Sequence, residues 1–274
     1  MELIVTISEI NELELFSNAS SFLINSKVYS SLEYKTAPTN TIFRLVKKIK
    51  DLNKKAYVLI DKLMFDEEYP NLLSFITKIE KEGVDGYFFA DLGVYELLDE
   101  LGLKDKAIYY SQTQIVSTME GRQYFSLGMK GIFASRYLSY EKVKELIKDV
   151  NLGLRIFGYH NLFYSRRGLL TAYKEEFNLS GKYDRTDNYT IKEMKRDVKN
   201  PIFENDNGTY IFTDYIDNHF SELDELNSLG LSYGLIDTNL LDDSLKIQLN
   251  EALVNYSKEF NSEKRIIDTY KVDE

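Results

Sequence analysis

The sequence predicts an α/β chain folded as a (β/α)8, TIM-barrel-like single domain, and three observations predict it. Short β-rich runs alternate with longer segments of helical period from end to end, which is the pattern of βα units around a parallel sheet. Eight such runs occur, several of them continuously apolar, as strands buried on both faces are. The 274 residues, 43% hydrophobic and 28% charged, supply apolar side chain for one large core.

Taken in order, the strand runs are Leu3–Ile7, Phe22–Asn25, Tyr57–Asp61, Gly86–Asp91, Ala107–Ser111, Gly131–Ser135, Leu152–Gly158 and Tyr233–Asp237. Amphipathic spacing predicts helices over Thr39–Asn53, Asn71–Glu82, Leu92–Leu101, Thr118–Leu127, Tyr140–Asp149, Ile216–Leu229 and Ser244–Phe260. Gly83, Gly102, Gly128 and Gly230 follow helical segments as C-terminal stops. The seventh and eighth runs lie much farther apart than the others, so 161–215 is expected as an insertion within one domain spanning 1–274. Inside it, Asn161–Phe177 is expected as a helix and Ser180–Asn188 as a polar loop. Pro201–Glu204 and Thr209–Phe212 are expected to form a hairpin around Asp206-Asn207-Gly208, where Asn-Gly favours a tight turn.

Composition excludes several chemistries. Without cysteine the chain holds no disulfide, thiolate nucleophile, zinc–thiolate site or cysteine-ligated iron–sulfur cluster. Only His160 and His219 carry imidazole, which leaves no histidine-rich metal site, and no resident metal or cofactor is expected. A net charge of −10 disfavours indiscriminate attraction to nucleic acid or anionic lipid but permits a local basic groove. No apolar run approaches the ~18 residues of a membrane span, and Met1 to Ser8 lacks a signal-peptide pattern, so a cytoplasmic protein with no membrane partner is expected.

In a barrel of this kind the working face lies at the carboxyl ends of the strands. Asn25, Asp61, Lys62, Asp91, Ser111, Gln112, Gln114, Ser135, Arg136, His160, Asn161 and Asp237 all fall there. Any one of them equally suits a helix cap or a turn. Asp61 and Asp91 suit a divalent ion, without a spacing that demands one. Arg136, Arg166 and Arg167 come from neighbouring βα segments, and their guanidinium forks suit carboxylate or phosphate. Pairing with Glu175 or Glu176 is the alternative. His160 is placed for acid–base chemistry or for a structural hydrogen bond.

The segment Gly158-Tyr159-His160-Asn161-Leu162-Phe163-Tyr164-Ser165-Arg166-Arg167-Gly168-Leu169-Leu170-Thr171-Ala172-Tyr173 resembles the signature of the peptidase U32 family, the collagenase-like proteases. Gly83 to Gly86, Ser135-Arg136-Tyr137-Leu138-Ser139 and Pro201 to Gly208 have family counterparts in the same order, so the resemblance covers nearly the whole chain. Asn161 and Gly168 stand where the family carries two cysteines, and Tyr137 stands where it carries glutamate. Gly234-Leu235-Ile236-Asp237 lacks the family's lysine and glutamate.

The resemblance is closest to short firmicute-type members. These are associated with hydroxylation of the tRNA wobble uridine alongside a longer family member, while hydroxylases of the family hold an iron–sulfur cluster on cysteines. It implies a cysteine-free component or partner subunit of that system. Gln112, Gln114, Ser135, Arg136, Asn161, Arg166 and Arg167 would then bind an anionic small molecule or tRNA phosphate, with a basic strip of Arg166, Arg167, Lys174, Lys182 and Arg185. The family's protease label implies an alternative, a peptidase acting through His160 with Ser165 or Ser135. A non-catalytic scaffold is the third reading.

Overall fold

The computed structural model describes residues 1–30, 35–111, 113–180, 189–192, 194–195, 197–255 and 259–272. Eight parallel strands close into a barrel. These are β1 (Glu2–Ile7), β2 (Ser21–Asn25), β3 (Lys55–Ile60), β4 (Gly86–Phe89), β5 (Ala107–Tyr109), β6 (Gly131–Phe133), β7 (Leu152–Ser165) and, after a long excursion, β11 (Tyr233–Ile236). β11 pairs in parallel with both β1 and β7, which closes the ring.

Helices α1 (Glu12–Leu15), α2 (Thr39–Asp51), α3 (Tyr69–Ile79), α4 (Leu92–Glu100), α5 (Thr118–Phe125) and α6 (Tyr140–Leu146) fill the connections. Of these, α2, α3, α4 and α6 bury apolar residues against the outside of the barrel. In α2 the buried residues Ile42, Leu45, Val46 and Ile49 follow the i, i+3, i+4, i+7 spacing that one helical face requires. All four stop glycines adopt the positive φ of a left-handed cap.

β7 does not end with the barrel. It continues as an antiparallel arm against β10 (Gly208–Asn218), which pairs with β9 (Lys199–Asn205), itself paired with β8 (Thr190–Lys192). The tight turn between β9 and β10 falls on the Asn-Gly the sequence singles out, and Gly208 has φ 136°. After β10 come a 3-10 turn at Phe220–Glu222, α8 (Leu223–Leu229), β11, α9 (Asp243–Asn255), β12 (Arg265–Ile267), which pairs with β10, and α10 (Thr269–Val272).

Two expectations are corrected here. Asn161–Phe177 is not one helix: its first part is the β7 arm to Ser165, and only Leu169–Glu176, α7, is helical. Ile216–Leu229 likewise begins as strand, to Asn218, and becomes helical at Leu223. Cross-strand pairing decides both, because Tyr164 stacks on Tyr210 at 5.2 Å and each arm satisfies the other's backbone groups. Helix α7 is instead anchored at its start, where the Leu170 N–H donates to Glu204 Oε2 at 2.8 Å. Ser180 is described, but 181–188 of the expected polar loop lie outside the described residues.

The barrel interior changes character along its axis. A packed layer of Ile4, Leu23, Tyr57, Leu59, Phe88, Ile108, Phe133 and Leu235 fills the middle. At the amino-terminal end, Tyr57 donates to Glu2 at 2.8 Å. At the carboxyl end the interior turns polar: Arg155 Nη2 lies 3.1 Å from Asp237 Oδ2 and donates to the Tyr110 hydroxyl at 2.7 Å. No helix among the described residues is long and apolar enough to cross a membrane.

Candidate functional site

The polar end of the barrel is a mouth roofed on one side by the β7–β10 arm. Gly158 makes the exit of β7 possible: its φ is 135°, and a Cβ there would stand 2.7 Å from the Asp237 carbonyl oxygen. Past it, the pairing of β7 with β10 is irregular between Phe212 and Ile216. The resulting bulge turns Thr213 inward, where its hydroxyl accepts the His160 N–H at 3.1 Å.

His160 is buried in a carboxylate–imidazole chain. Its Nε2 donates to Asp217 Oδ2 at 2.6 Å, and His219 Nε2 donates to the same oxygen at 3.0 Å. A carboxylate only accepts, so both rings carry hydrogen on Nε2. Burial pushes the His160 imidazole down to about 4, helped by the Arg155 guanidinium and opposed by the hydrogen bond to Asp217. At neutral pH it is therefore uncharged, with Nδ1 as the acceptor nitrogen. Burial acts to raise Asp217, but its two imidazole hydrogen bonds hold it well below the usual carboxylate range. His219 behaves oppositely to His160: burial works to lower it, yet Asp217, Asp268 and Glu222 hold it well above its ordinary value.

Three cavities meet at Arg136. A cleft of about 330 Å3 is lined by Asp61, Tyr110, Arg136, Tyr137, Asn161 and Tyr164, among others. A second, of about 420 Å3, lies between Arg136, Tyr137, His160, Tyr215, Arg265 and Thr269. A space of about 20 Å3 joins Ser135, Arg136, Arg155, His160 and Asp217, room for about one water by general packing rules. The Arg136 guanidinium stacks on the Tyr137 ring at 4.8 Å and donates to the Tyr137 hydroxyl at 2.8 Å. Among the described residues no carboxylate lies within ion-pair distance of it. Arg265 faces the Tyr215 ring and meets Asp214 at 3.8 Å.

The other predicted residues are distributed unevenly. Ser135 shares the small space with His160 and is 1% exposed. Ser165 does not join them: five residues along the same strand is roughly 16 Å at ~3.3 Å per residue. Its hydroxyl accepts the Arg167 N–H at 3.2 Å. Asn161 lines the 330 Å3 cleft and its amide donates to the Phe163 carbonyl at 3.1 Å.

Arg166 reaches across to the β3 loop, donating to the Leu63 carbonyl at 3.3 Å, lying over Phe65 at 4.1 Å and meeting Glu68 at 3.9 Å. Arg167 is exposed and lines none of the three cavities. The three arginines therefore do not converge on one anion. Gln114 is exposed beside Ile115, a buried β-branched residue held at φ 61°; Gln112 lies outside the described residues, as do Lys182 and Arg185. Asp91 caps α4 by accepting the Gly93 N–H at 2.8 Å, and Asp237 pairs with Arg155.

Sequence reasoning missed Arg155 and Asp217. A lone charge within the apolar run Leu152–Gly158 was a signal for the first. The second sat inside a segment whose spacing reads as helix, so nothing local distinguished it.

The model of peptidase family U32 matches residues 34–266. The tRNA hydroxylation protein P2 of Bacillus subtilis (strain 168) is 25% identical over 256 residues, covering 88% of this chain and 78% of that protein. The tRNA hydroxylation protein P of Helicobacter pylori (strain J99) is 24% identical over 124 residues, covering 44% of this chain and 29% of that protein. A solved U32 peptidase structure superposes with a TM-score of 0.57 at 15% identity, covering 86% of this chain and 92% of that one, and so shares the fold.

Proposed function

This chain belongs to peptidase family U32, and on that premise we propose that it serves in tRNA hydroxylation as a cysteine-free binding subunit that holds an anionic ligand at the barrel mouth. The observation that carries the reading is Arg136. Its guanidinium is free of carboxylates among the described residues, is oriented by the Tyr137 ring, and borders all three cavities described at the mouth. A planar fork beside aromatic walls suits a carboxylate or phosphate attached to a ring.

The iron–sulfur cluster that the family resemblance implies does not fit this chain. Asn161 and Gly168 stand in place of the expected cysteines, and neither side chain ligates such a cluster. Redox chemistry, if the hydroxylation reading holds, belongs to another chain, and a longer family partner is the proposed source. His160 acts here as a neutral acceptor on the wall of the 420 Å3 cleft, oriented through Asp217. The tRNA phosphates would meet the exposed Arg167 before α7 and the half-buried Lys174 on it. A Ser/His peptidase finds little support, since Ser165 stands apart from His160 and Ser135 is enclosed.

Deleting the gene and measuring tRNA nucleosides by mass spectrometry tests the reading. Loss of a hydroxylated wobble-uridine derivative, restored by the wild-type chain, is expected. An unchanged nucleoside profile overturns it.

A further inference from the structure

We propose that His219, Glu222 and Asp268 form a site for one first-row divalent ion of the zinc or manganese kind, separate from the clefts around Arg136. The inference stands independently of the tRNA reading.

The donor geometry comes first. His219 Nδ1 lies 3.3 Å from Asp268 Oδ1 and 3.8 Å from Glu222 Oε2, and the ligand atoms of the three residues all fall within 4.8 Å of one another. Two donors about 2.1 Å from a tetrahedral ion stand about 3.4 Å apart, close to both separations measured from His219 Nδ1. The His219 side chain is only 4% exposed, and its Nδ1 makes no hydrogen bond among the described residues, although Asp268 is near.

The supporting contacts orient the same three atoms. His219 donates Nε2–H to Asp217, the carboxylate–imidazole arrangement that fixes a metal-ligating histidine with Nδ1 turned to the ion. Asp217 is held in turn by the Thr269 N–H at 3.3 Å and the Thr269 hydroxyl at 3.1 Å. Ser221 Oγ lies 2.7 Å from Glu222 Oε1 and 2.9 Å from Asp268 Oδ2, so its hydroxyl links the two carboxylates, while Asp268 Oδ1, the oxygen nearest His219, also accepts the Tyr270 N–H at 3.2 Å.

Electrostatics favours a divalent occupant. Asp217, Glu222 and Asp268 all face the His219 imidazole, and largely enclosed carboxylates require compensating positive charge. One imidazolium offsets one of the three; a divalent ion offsets two. One imidazole nitrogen with two carboxylate oxygens suits zinc or manganese better than calcium, which prefers an all-oxygen set. The ion would tie the turn after β10 to the α10 segment and so hold Asp217, and through it His160, at the mouth.

The test uses the full chain stripped with a chelator and titrated with zinc or manganese chloride by calorimetry. With only two histidines in the chain, a long-range proton–nitrogen spectrum contains two imidazoles. The expected result is one ion per chain, with zinc moving the His219 Nδ1 resonance and leaving His160 unligated. Ser221→Ala should weaken binding by about 10- to 100-fold, the general cost of losing an outer support, and Glu222→Gln or Asp268→Asn at least as much. No stoichiometric binding of either ion, binding that leaves the His219 ring unmoved, or wild-type affinity in both carboxamide variants overturns the proposal. Should the variants fail to fold, the wild-type spectrum alone decides.

Discussion

His160 on β7 and Asp217 on β10 meet at 2.6 Å, so the mouth of the barrel is tied to the strand that returns over it. This contact joins two segments 57 residues apart and holds Asp217 charged, while burial keeps His160 neutral against it.

It makes stability depend on pH. The folded-state value of His160, about 4, lies below its ordinary 6.5, so between these values the unfolded chain binds a proton that the folded chain refuses. The contribution is complete above pH 6.5 and is lost as pH falls toward 4. His219, raised, contributes in the opposite sense, with stability present at low pH and lost as pH rises through its elevated value. His160→Gln isolates the first effect, because glutamine retains an N–H donor for Asp217 without titrating. Denaturant melts at pH 7 and pH 4 should show the wild type losing up to about 3 kcal/mol more than the variant. Parallel pH profiles of the two proteins would contradict a neutral buried His160.

Arg155 and Asp237 form a buried ion pair inside the barrel, at 3.1 Å. Arg155→Met leaves the Asp237 carboxylate enclosed without its counter-charge, a change that generally costs about 3–5 kcal/mol. Urea unfolding measures it. A loss below about 1 kcal/mol would mean that Asp237 finds water or another donor at no penalty.

Gly158 and Gly102 both have positive φ, but only Gly158 meets neighbouring backbone, at 2.7 Å from Asp237 O, whereas nothing lies within 4 Å of a Cβ on Gly102. Alanine at 102 should cost about 1 kcal/mol for the left-handed backbone alone. Alanine at 158 adds the clash and should cost at least about 2 kcal/mol more. Comparable melting temperatures for the two variants would refute the close approach.

Arg136 carries the binding proposal without holding the fold together. Arg136→Gln should change stability by no more than about 0.5 kcal/mol, as partly exposed residues without ion pairs do. It should nonetheless fail to restore the modified nucleoside in a deletion strain. Full restoration at matched expression would remove Arg136 from the function.

The barrel was legible in the chain because its cause is local. Strands buried on both faces must be continuously apolar, helices that cover them must be apolar at helical spacing, and Gly83, Gly102, Gly128 and Gly230 mark stops that favour a left-handed residue. The carboxyl-end positions of Asp61, Ser135, Arg136, His160 and Asp237 followed from the same alternation. The β7 arm was not legible, because Leu162 to Ser165 becomes strand only by pairing with Thr209 to Phe212, far along the chain.

By itself, then, the sequence determined the parallel barrel, the polar end at which its loops gather, and the exclusion of every chemistry that needs a thiol. Only the tertiary structure decided which polar residues meet. It brought Asp217 between His160 and His219, put Arg155 on Asp237, turned Arg166 away to Leu63 and left Ser165 apart from the imidazole. The physical reason is range: periodicity reports burial along one segment, whereas hydrogen bonds and ion pairs act over about 3 Å between segments that the chain alone does not align.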